Sequence, residues 1–366
     1  MEPRYKNKKA PDDAGYSTAV SNARPGRRVC DESGGGLPMT TLFKSLPSPI
    51  RVALVGECMI ELQRDSAGTI TQAFGGDTLN AAVYLARLCQ STAISVDYIT
   101  AIGQDPFSEA MCQTWQAEGL GTQNVRHLPD ALPGLYFIQT DEQGERQFLY
   151  WRGEAAARRC FDGHEAAQTL AALLNYDVIY LSGISLAVLT AEGRARLLET
   201  LAEARMQGTR IVFDNNYRPR LWPDRGAAQH CYQALLALVD LALITWEDDV
   251  ELFGFSSPEA LFRTYAQSGV TEIVLKRGEA PCLIHTGRQV LTIPGEKAQQ
   301  VVDTTAAGDS FSAAYLACRL QGGNPEQAAR WGHRLAVNVI QHRGALIPPP
   351  AMPAMPALSY SLAAQA

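Results

Sequence analysis

Two short stretches of the chain have residue types and spacing suited to chemistry on an anion. The first is Asp303-Thr304-Thr305-Ala306-Ala307-Gly308-Asp309-Ser310-Phe311. Phe311, Ala314, Tyr315 and Cys318 then fall at i, i+3, i+4 and i+7, which predicts a helix with one apolar face, stopped by Gly322 and Gly323. Small residues just before a helix leave its first backbone N–H groups uncovered, and such groups at the positive end of a helix attract anions. Asp309 lies among these donors and is open to two readings. It is either a catalytic carboxylate or one that stabilises the helix start by capping and through the macrodipole. The second stretch is Phe74-Gly75-Gly76-Asp77-Thr78-Leu79-Asn80, leading into a helix whose apolar stripe is Leu79, Ala82, Val83 and Ala86. Paired glycines let a backbone approach a ligand closely, and Asp77 and Asn80 can both bond to hydroxyls. A plain helix cap at Asp77 is the alternative.

These stretches need a frame to bring them together, and short β-branched runs supply it: Arg51 to Val55, Ser95 to Thr100, Val178 to Ser182, Arg210 to Asp214, Leu241 to Thr245 and Glu272 to Lys276. Most are near-continuous apolar runs, as expected of a parallel sheet covered on both faces. Helical patterns such as Ala191 to Gln207 separate them, so the core is an α/β layer structure. Two stretches break the rhythm. Leu135 to Thr140 and Glu145 to Arg152 are aromatic-rich and extended, and flank a hairpin turn at Asp141-Glu142-Gln143-Gly144. Met59 to Phe74 mixes polar and apolar residues, with Gly68 at a turn. Together they predict a small β-element projecting from the sheet, formed by about 59–74 and 132–152. The tryptophans Trp115, Trp222 and Trp246 are expected as core anchors.

Composition narrows the class. Of 366 residues, 46% are hydrophobic, 19% charged and 8% aromatic, and the net charge is -6. These fractions exclude collagen-like, coiled-coil and wholly disordered chains. Eight scattered cysteines, with no C-x-x-C pair and none at zinc-ligand spacing to a histidine, predict reduced thiols in a reducing compartment. Without an apolar run of about 18 residues or a leader-like apolar block, the expected location is the cytoplasm, with no membrane partner. The mildly acidic balance argues against a nucleic-acid partner. Residues 1–48 are expected to form a disordered extension. Residues 1–38 are polar, rich in Pro and Gly, and carry seven Lys or Arg against five Asp or Glu; they are either dispensable or a basic interaction tail. Residues 49–347 would form the folded domain, and 348–366 an irregular tail.

The two glycine-containing motifs, in this order, resemble the signatures of the ribokinase (PfkB) family of carbohydrate kinases: a Gly-Gly pair opening a helix, then a D-T-x-G-A-G-D or near relative, here DTTAAGD. The resemblance covers about residues 50–347. Within that family the sequence is most similar to the 2-keto-3-deoxygluconate kinases. GECMIEL (56–62), FGGDTLNAAVYLAR (74–87), LPGLYFIQTDEQGER (132–146), YWRGEAA (150–156), YLSGISLA (180–187), FDNNYRPRLW (213–222) and DTTAAGDSFSA (303–313) carry it.

The resemblance implies a ribokinase-like fold with a small β lid, and transfer of the ATP γ-phosphoryl group to the terminal hydroxyl of 2-dehydro-3-deoxy-D-gluconate with Mg2+. It makes Asp309 the general base and the backbone of Ala306, Ala307 and Gly308 the anion hole. Gly76, Asp77 and Asn80 would hold the acceptor, with Tyr150 and Arg152 contacting it from the lid and Arg218 reaching the phosphoryl group or the acid. Asn216 would lie on the nucleotide side. Lys276, ahead of Gly278, either lines the nucleotide groove or is a solvated strand end.

One departure stands out: where the family commonly has N-x-x-E after a central strand, this chain has Thr245-Trp246-Glu247-Asp248. Magnesium is therefore assigned to ATP phosphates and water, with no direct protein ligand. A kinase for a neutral sugar such as fructose is the nearest rival, and a silent sugar-binding regulator a further one. G-x-G-x-x-G and G-x-x-x-x-G-K-[ST] are both absent from the sequence, which disfavours a dinucleotide oxidoreductase or a P-loop enzyme. Lid pairing between subunits would make a homodimer.

Overall fold

The computed structural model describes residues 42–64, 68–140, 146–287 and 289–358. The N-terminal stretch through 41, the hairpin turn at 141–144 and the last eight residues lie outside them. In chain order the strands are β1 (Ile50–Val55), β2 (Met59–Arg64), β3 (Ile70–Gly75), β4 (Ile94–Ile99), β5 (Ala101–Ile102), β6 (Arg126–His127), β7 (Gly134–Thr140), β8 (Arg146–Trp151), β9 (Val178–Ser182), β10 (Arg210–Asp214), β11 (Leu241–Thr245), β12 (Glu272–Arg277), β13 (Ala280–His285) and β14 (Val290–Ile293). The helices are α1 (Asp77–Cys89), α2 (Pro106–Ala117), α3 (Ala167–Leu173), α4 (Gly183–Val188), α5 (Ala191–Met206), α6 (Arg225–Leu236), α7 (Trp246–Phe253), α8 (Pro258–Gln267), α9 (Ala307–Leu320) and α10 (Pro325–Val339).

Eight strands form the main sheet in the order β14-β13-β12-β11-β10-β9-β1-β4. The six from β12 to β4 run parallel, and β13 and β14 add an antiparallel edge. Alternate residues of each parallel strand enter two different cores. Val52, Leu54, Val178, Tyr180, Val212, Leu241, Leu243 and Val274 pack with α1, α9 and α10. Ala53, Val55, Ile179, Leu181, Ile211, Phe213, Ala242, Ile244, Ile273 and Leu275 pack with α3, α5, α6 and α8. Both faces need apolar residues, which is why these strands read as continuous apolar runs.

The β-element is a four-stranded sheet, β3-β2-β7-β8, with β2 parallel to β7 and the other pairs antiparallel. Gly68, at φ +89°, lies in the β2–β3 turn, as its freedom at positive φ allows. This sheet is thinly buried: Phe148, Leu149, Tyr150 and Trp151 are all exposed. The helix after DTTAAGD departs from the one-faced pattern expected of it. α9 is buried at every residue from Ser310 to Leu320, because it packs against both α1 and α10 in the core that they share with one face of the main sheet. After a short turn at Pro349–Ala351 the chain runs without regular structure across α10, where the Trp331 indole N–H donates to the Pro356 carbonyl, 2.9 Å. The seven described cysteines are free, and all but Cys112 are buried. Trp115 and Trp222 are buried and Trp246 is partly so. Among the described residues no helix is long and apolar enough to cross a membrane.

Candidate active site

The parallel strands β1, β9, β10, β11 and β12 end along one edge of the sheet, which is where open α/β sheets gather their ligands. Glu57, Ser182, Asp214, Asn215, Asn216, Thr245 and Lys276 all lie at or just beyond these ends. Helices α1 and α9 pack side by side and bring their N-terminal turns to this edge. The two stretches singled out above therefore meet, although 229 residues separate Asn80 from Asp309.

Asp309 is in the first turn of α9 and its carboxylate Oδ2 accepts from Asn80 Nδ2, 2.9 Å. Helix α9 has no side-chain cap; its N-cap is Ala306, held at φ 59°. A non-glycine residue in this left-handed region is uncommon and stays there only when its surroundings hold it. Here Asp303 does so from below: its Oδ1 accepts from the Thr305 N–H and hydroxyl at 3.0 and 2.7 Å, and its Oδ2 from the Gly344 N–H at 2.8 Å. The turn is thus held without using the Asp309 carboxylate as a cap, and within it the Ala307 N–H donates to the Thr304 carbonyl, 3.2 Å. Burial pushes the Asp309 carboxyl up to about 8, helped by the nearby charges of Asp77 and Asp214 and opposed by Asn80 and Lys276.

Asp77 likewise is not a cap. The N-cap of α1 is Gly76, without a side-chain bond, and Asp77 Oδ2 accepts from Asn216 Nδ2, 2.7 Å. Asn216 sits at φ 28°, in a turn that Asn215 holds by accepting from the Asn216 N–H, 2.9 Å. Burial raises the Asp77 carboxyl, with the Asp214 charge adding to it and bonds from Ser182, Thr78 and Asn216 opposing it. Asn216, expected on the nucleotide side, is thereby tied to a residue expected to hold the acceptor.

Lys276 is far from a solvated strand end, with a side chain only 11% exposed. Its Nζ donates to Asp214 Oδ2 at 2.8 Å and to Ser312 Oγ at 3.1 Å, beneath the first turn of α9. A Cβ on Gly308 would stand 3.7 Å from that Nζ, so the cation lies directly behind the proposed anion hole. Gly278 occupies the turn between β12 and β13 at φ 56° with open space around it.

The remaining expected residues separate. Tyr150 is exposed on β8, with its ring 5.9 Å from that of Tyr136. Arg152, just past β8, pairs with Glu57. Arg218, 52% exposed, donates to the Tyr217 carbonyl at 2.7 Å and to Asp248 Oδ2 at 3.3 Å, which ties it to the first turn of α7, whereas Arg152 is held by Glu57. Asp248 also accepts from the Tyr217 N–H, 3.0 Å, and burial raises its carboxyl. Among the described residues no group of three or more His, Cys, Asp or Glu side chains is placed to hold a metal ion.

Three residues of this edge were not singled out from the sequence. Asp214 organises Lys276 and Ser312, the latter at 2.7 Å. Asn215, fully buried, bonds to the Thr245 carbonyl and to Asp249, fixing the turn that presents Asn216. Glu57 is the third. Each lies inside a motif quoted above, but single buried polar residues beside a strand end carry no spacing signal of their own.

The family model for pfkB family carbohydrate kinases matches residues 50–352. The chain is 48% identical to the 2-dehydro-3-deoxygluconokinase of Dickeya dadantii over 307 residues, 83% of this chain and 98% of that one. It is 46% identical to the enzyme of the same name from Escherichia coli K12, over 83% of this chain and 99% of that one. Among solved structures, it shares its fold with the fructokinase of Xylella fastidiosa with bound ATP. That match has a TM-score of 0.71 at 22% identity and covers 83% of this chain and 95% of that one.

Proposed function

From the premise that the chain belongs to the pfkB family of carbohydrate kinases, we propose that it transfers the γ-phosphoryl group of ATP to the terminal hydroxyl of 2-dehydro-3-deoxy-D-gluconate, giving the 6-phosphate. The observation that carries the chemistry is Asp309, set in the uncapped first turn of α9, with Lys276 Nζ beside Gly308. A base whose carboxyl is held near 8 has a real affinity for the hydroxyl proton it must take. Asn80 holds Oδ2, leaving Oδ1 for that hydroxyl. The N–H groups of Ala306 and Gly308 then meet the negative charge of the transferring phosphoryl group, with that of Ala307 joining them as it leaves the Thr304 carbonyl. Donors of this kind stabilise it with little reorganisation, and so does Lys276.

On the acceptor side, Asp77 and Asn216 offer a matched hydroxyl-binding pair, with Gly76 keeping the backbone open. Tyr150 and Arg152 come from the β-element, read here as a lid that excludes water from the phosphoryl group. Arg218 with Asp248 and Lys276 with Gly278 flank the groove for ATP. Magnesium, when bound, neutralises charge on the ATP phosphoryl oxygens. The donor set fits an ion held by phosphates and water, since Asp248 and Asp214 are already engaged and the exposed Glu247 is the acidic residue left to order that water. A cytoplasmic location, and a homodimer that covers an open edge of the β-element, belong to the same reading.

The test is a coupled ADP-release assay on 2-dehydro-3-deoxy-D-gluconate, fructose and ribose, for the parent and for Arg152→Ala and Arg218→Ala. A guanidinium gives paired donors to a carboxylate that a neutral sugar lacks, so the acid should lead by roughly 10²-fold in kcat/KM. Arg152→Ala should narrow that lead. If fructose is phosphorylated as efficiently as the acid, the substrate assignment fails.

A further inference from the structure

Glu57 follows β1 and precedes β2, so it stands where the main sheet hands the chain to the β-element. It is only 1% exposed. Its Oε2 accepts from Nη2 of Arg152, which comes from the far end of the β-element, just past β8. The side chain of Arg152 is 13% exposed. This ion pair crosses the root of the β-element and joins its last strand to the main sheet.

The pair is incompletely satisfied. Glu57 Oε1 and Arg152 Nε are both buried without a hydrogen-bond partner. A Cβ on Gly134 would stand 2.8 Å from Glu57 Oε1 and 3.2 Å from the Arg152 Cβ, and one on Gly76 would collide with the Glu57 carbonyl. Two glycines are therefore needed merely to seat this glutamate. Burial raises the Glu57 carboxyl, with Arg152 opposing it, Asp77 adding to it and the more distant Arg158 opposing it. An ion pair kept at such cost is poor evidence for stability, because apolar replacements of the same shape do as well or better. A positional role accounts for it more directly.

We infer that Glu57 is a positioning residue that holds one edge of the Arg152 guanidinium, so that its remaining Nη1 edge is presented to the carboxylate of the sugar acid. The inference rests on the substrate reading above. A free arginine at the end of a β-hairpin samples many rotamers, and each one frozen on binding costs affinity. Held by Glu57, and with its guanidinium 5.9 Å from the Tyr150 ring, Arg152 has lost that freedom before the substrate arrives. The opposing effect is repulsion between Glu57 and the incoming carboxylate. Arg152 lies between the two, so ordering outweighs repulsion.

The experiment measures KM and kcat for the sugar acid, and KM for ATP, in the parent, Glu57→Gln, Glu57→Ala, Arg152→Ala and the Glu57→Ala/Arg152→Ala double variant. Glu57→Gln keeps the acceptor for Nη2 and removes the charge. Expected is a rise in sugar-acid KM of about tenfold or more in Glu57→Ala, a smaller rise in Glu57→Gln, and little change in kcat or ATP KM. In the Arg152→Ala background the Glu57 substitution should leave sugar-acid KM nearly unchanged, since nothing remains to be held. Tighter acid binding by Glu57→Gln would mean that repulsion wins, and overturns the inference. So does a loss in which ATP KM and kcat move together with sugar-acid KM, or an undiminished effect without Arg152. If Glu57→Ala does not fold, Glu57→Gln decides by the same criteria. A parent that ignores the acid but phosphorylates a neutral sugar overturns the substrate reading and this inference with it, which distinguishes that failure from the others.

Discussion

Replacing Asp309 by Asn should stabilise the ligand-free protein while lowering its turnover by roughly 10²-fold or more. The Asp309 carboxyl is pushed from 3.8 to about 8, first by burial and then by Asp77 and Asp214. A raised folded-state value means that the fold favours the neutral acid. Stability from this group is thus fully present below about pH 4 and is lost as pH rises towards 8. Each tenfold change in proton affinity is worth about 1.4 kcal/mol, so the ceiling at high pH is roughly 6 kcal/mol. The carboxylate is only partly covered, and solvent screening reduces this to about 1–2 kcal/mol. Asparagine keeps the shape, bears no charge and escapes the penalty at every pH. For a chain of this size the gain corresponds to a Tm about 2–6 °C higher near pH 8, shrinking to nothing near pH 4. Scanning calorimetry of both proteins across that range reads the gap, and a steady-state assay should show kcat lower by roughly 10²-fold or more. In the parent, kcat/KM should rise with pH through about 8. A variant no more stable than the parent at high pH, or a gap that ignores pH, would refute the argument that this carboxylate is held at a cost for chemistry.

Two further outcomes follow from the same geometry. Gly76→Ala is not a backbone problem, since φ there is 171°, but the new methyl would run into the Glu57 carbonyl. It should cost about 1–3 kcal/mol and raise the sugar-acid KM by displacing Asp77, measured by urea unfolding and kinetics. Amide exchange in β7 and β8 should slow when the sugar acid is added, as the exposed faces of Tyr150 and Trp151 are covered; unchanged exchange with binding verified separately would count against a lid.

Much of the fold was legible because the parallel strands must be apolar on both faces. Val178–Ser182, Arg210–Asp214 and Leu241–Thr245 occur as expected, and the others of the six differ by a residue or so at their ends. Gly68 and the aromatic run before Arg152 marked the β-element, since alternation and turn glycines are local signals. The β13–β14 edge was not seen: Ala280–His285 and Val290–Ile293 are short and only partly buried, so their pattern is weak. The one-faced reading of α9 failed for a tertiary reason. Its small Ser312, Ala313 and Ala317 look neutral in sequence yet are buried where α9 packs among α1, α10 and the sheet. Within the site, Asp309 and Asp77 were visible from helix-start chemistry. The ties that orient them are not, because Asn80 to Asp309 and Asn216 to Asp77 each span more than 130 residues. Arg152 was expected as a substrate contact, but nothing in its neighbourhood named Glu57 as its partner.

The central claim is that this fold moves the γ-phosphoryl group of ATP onto the terminal oxygen of a sugar acid with Asp309 taking the proton. Phosphorus and carbon NMR of the product formed from ATP and 2-dehydro-3-deoxy-D-gluconate tests it most directly. Expected are a single phosphate ester at the terminal carbon for the parent, and the same ester formed roughly 10²-fold or more slowly by Asp309→Asn at equal ATP occupancy. An ester at another oxygen, or the same ester made at a comparable rate by Asp309→Asn, would contradict it.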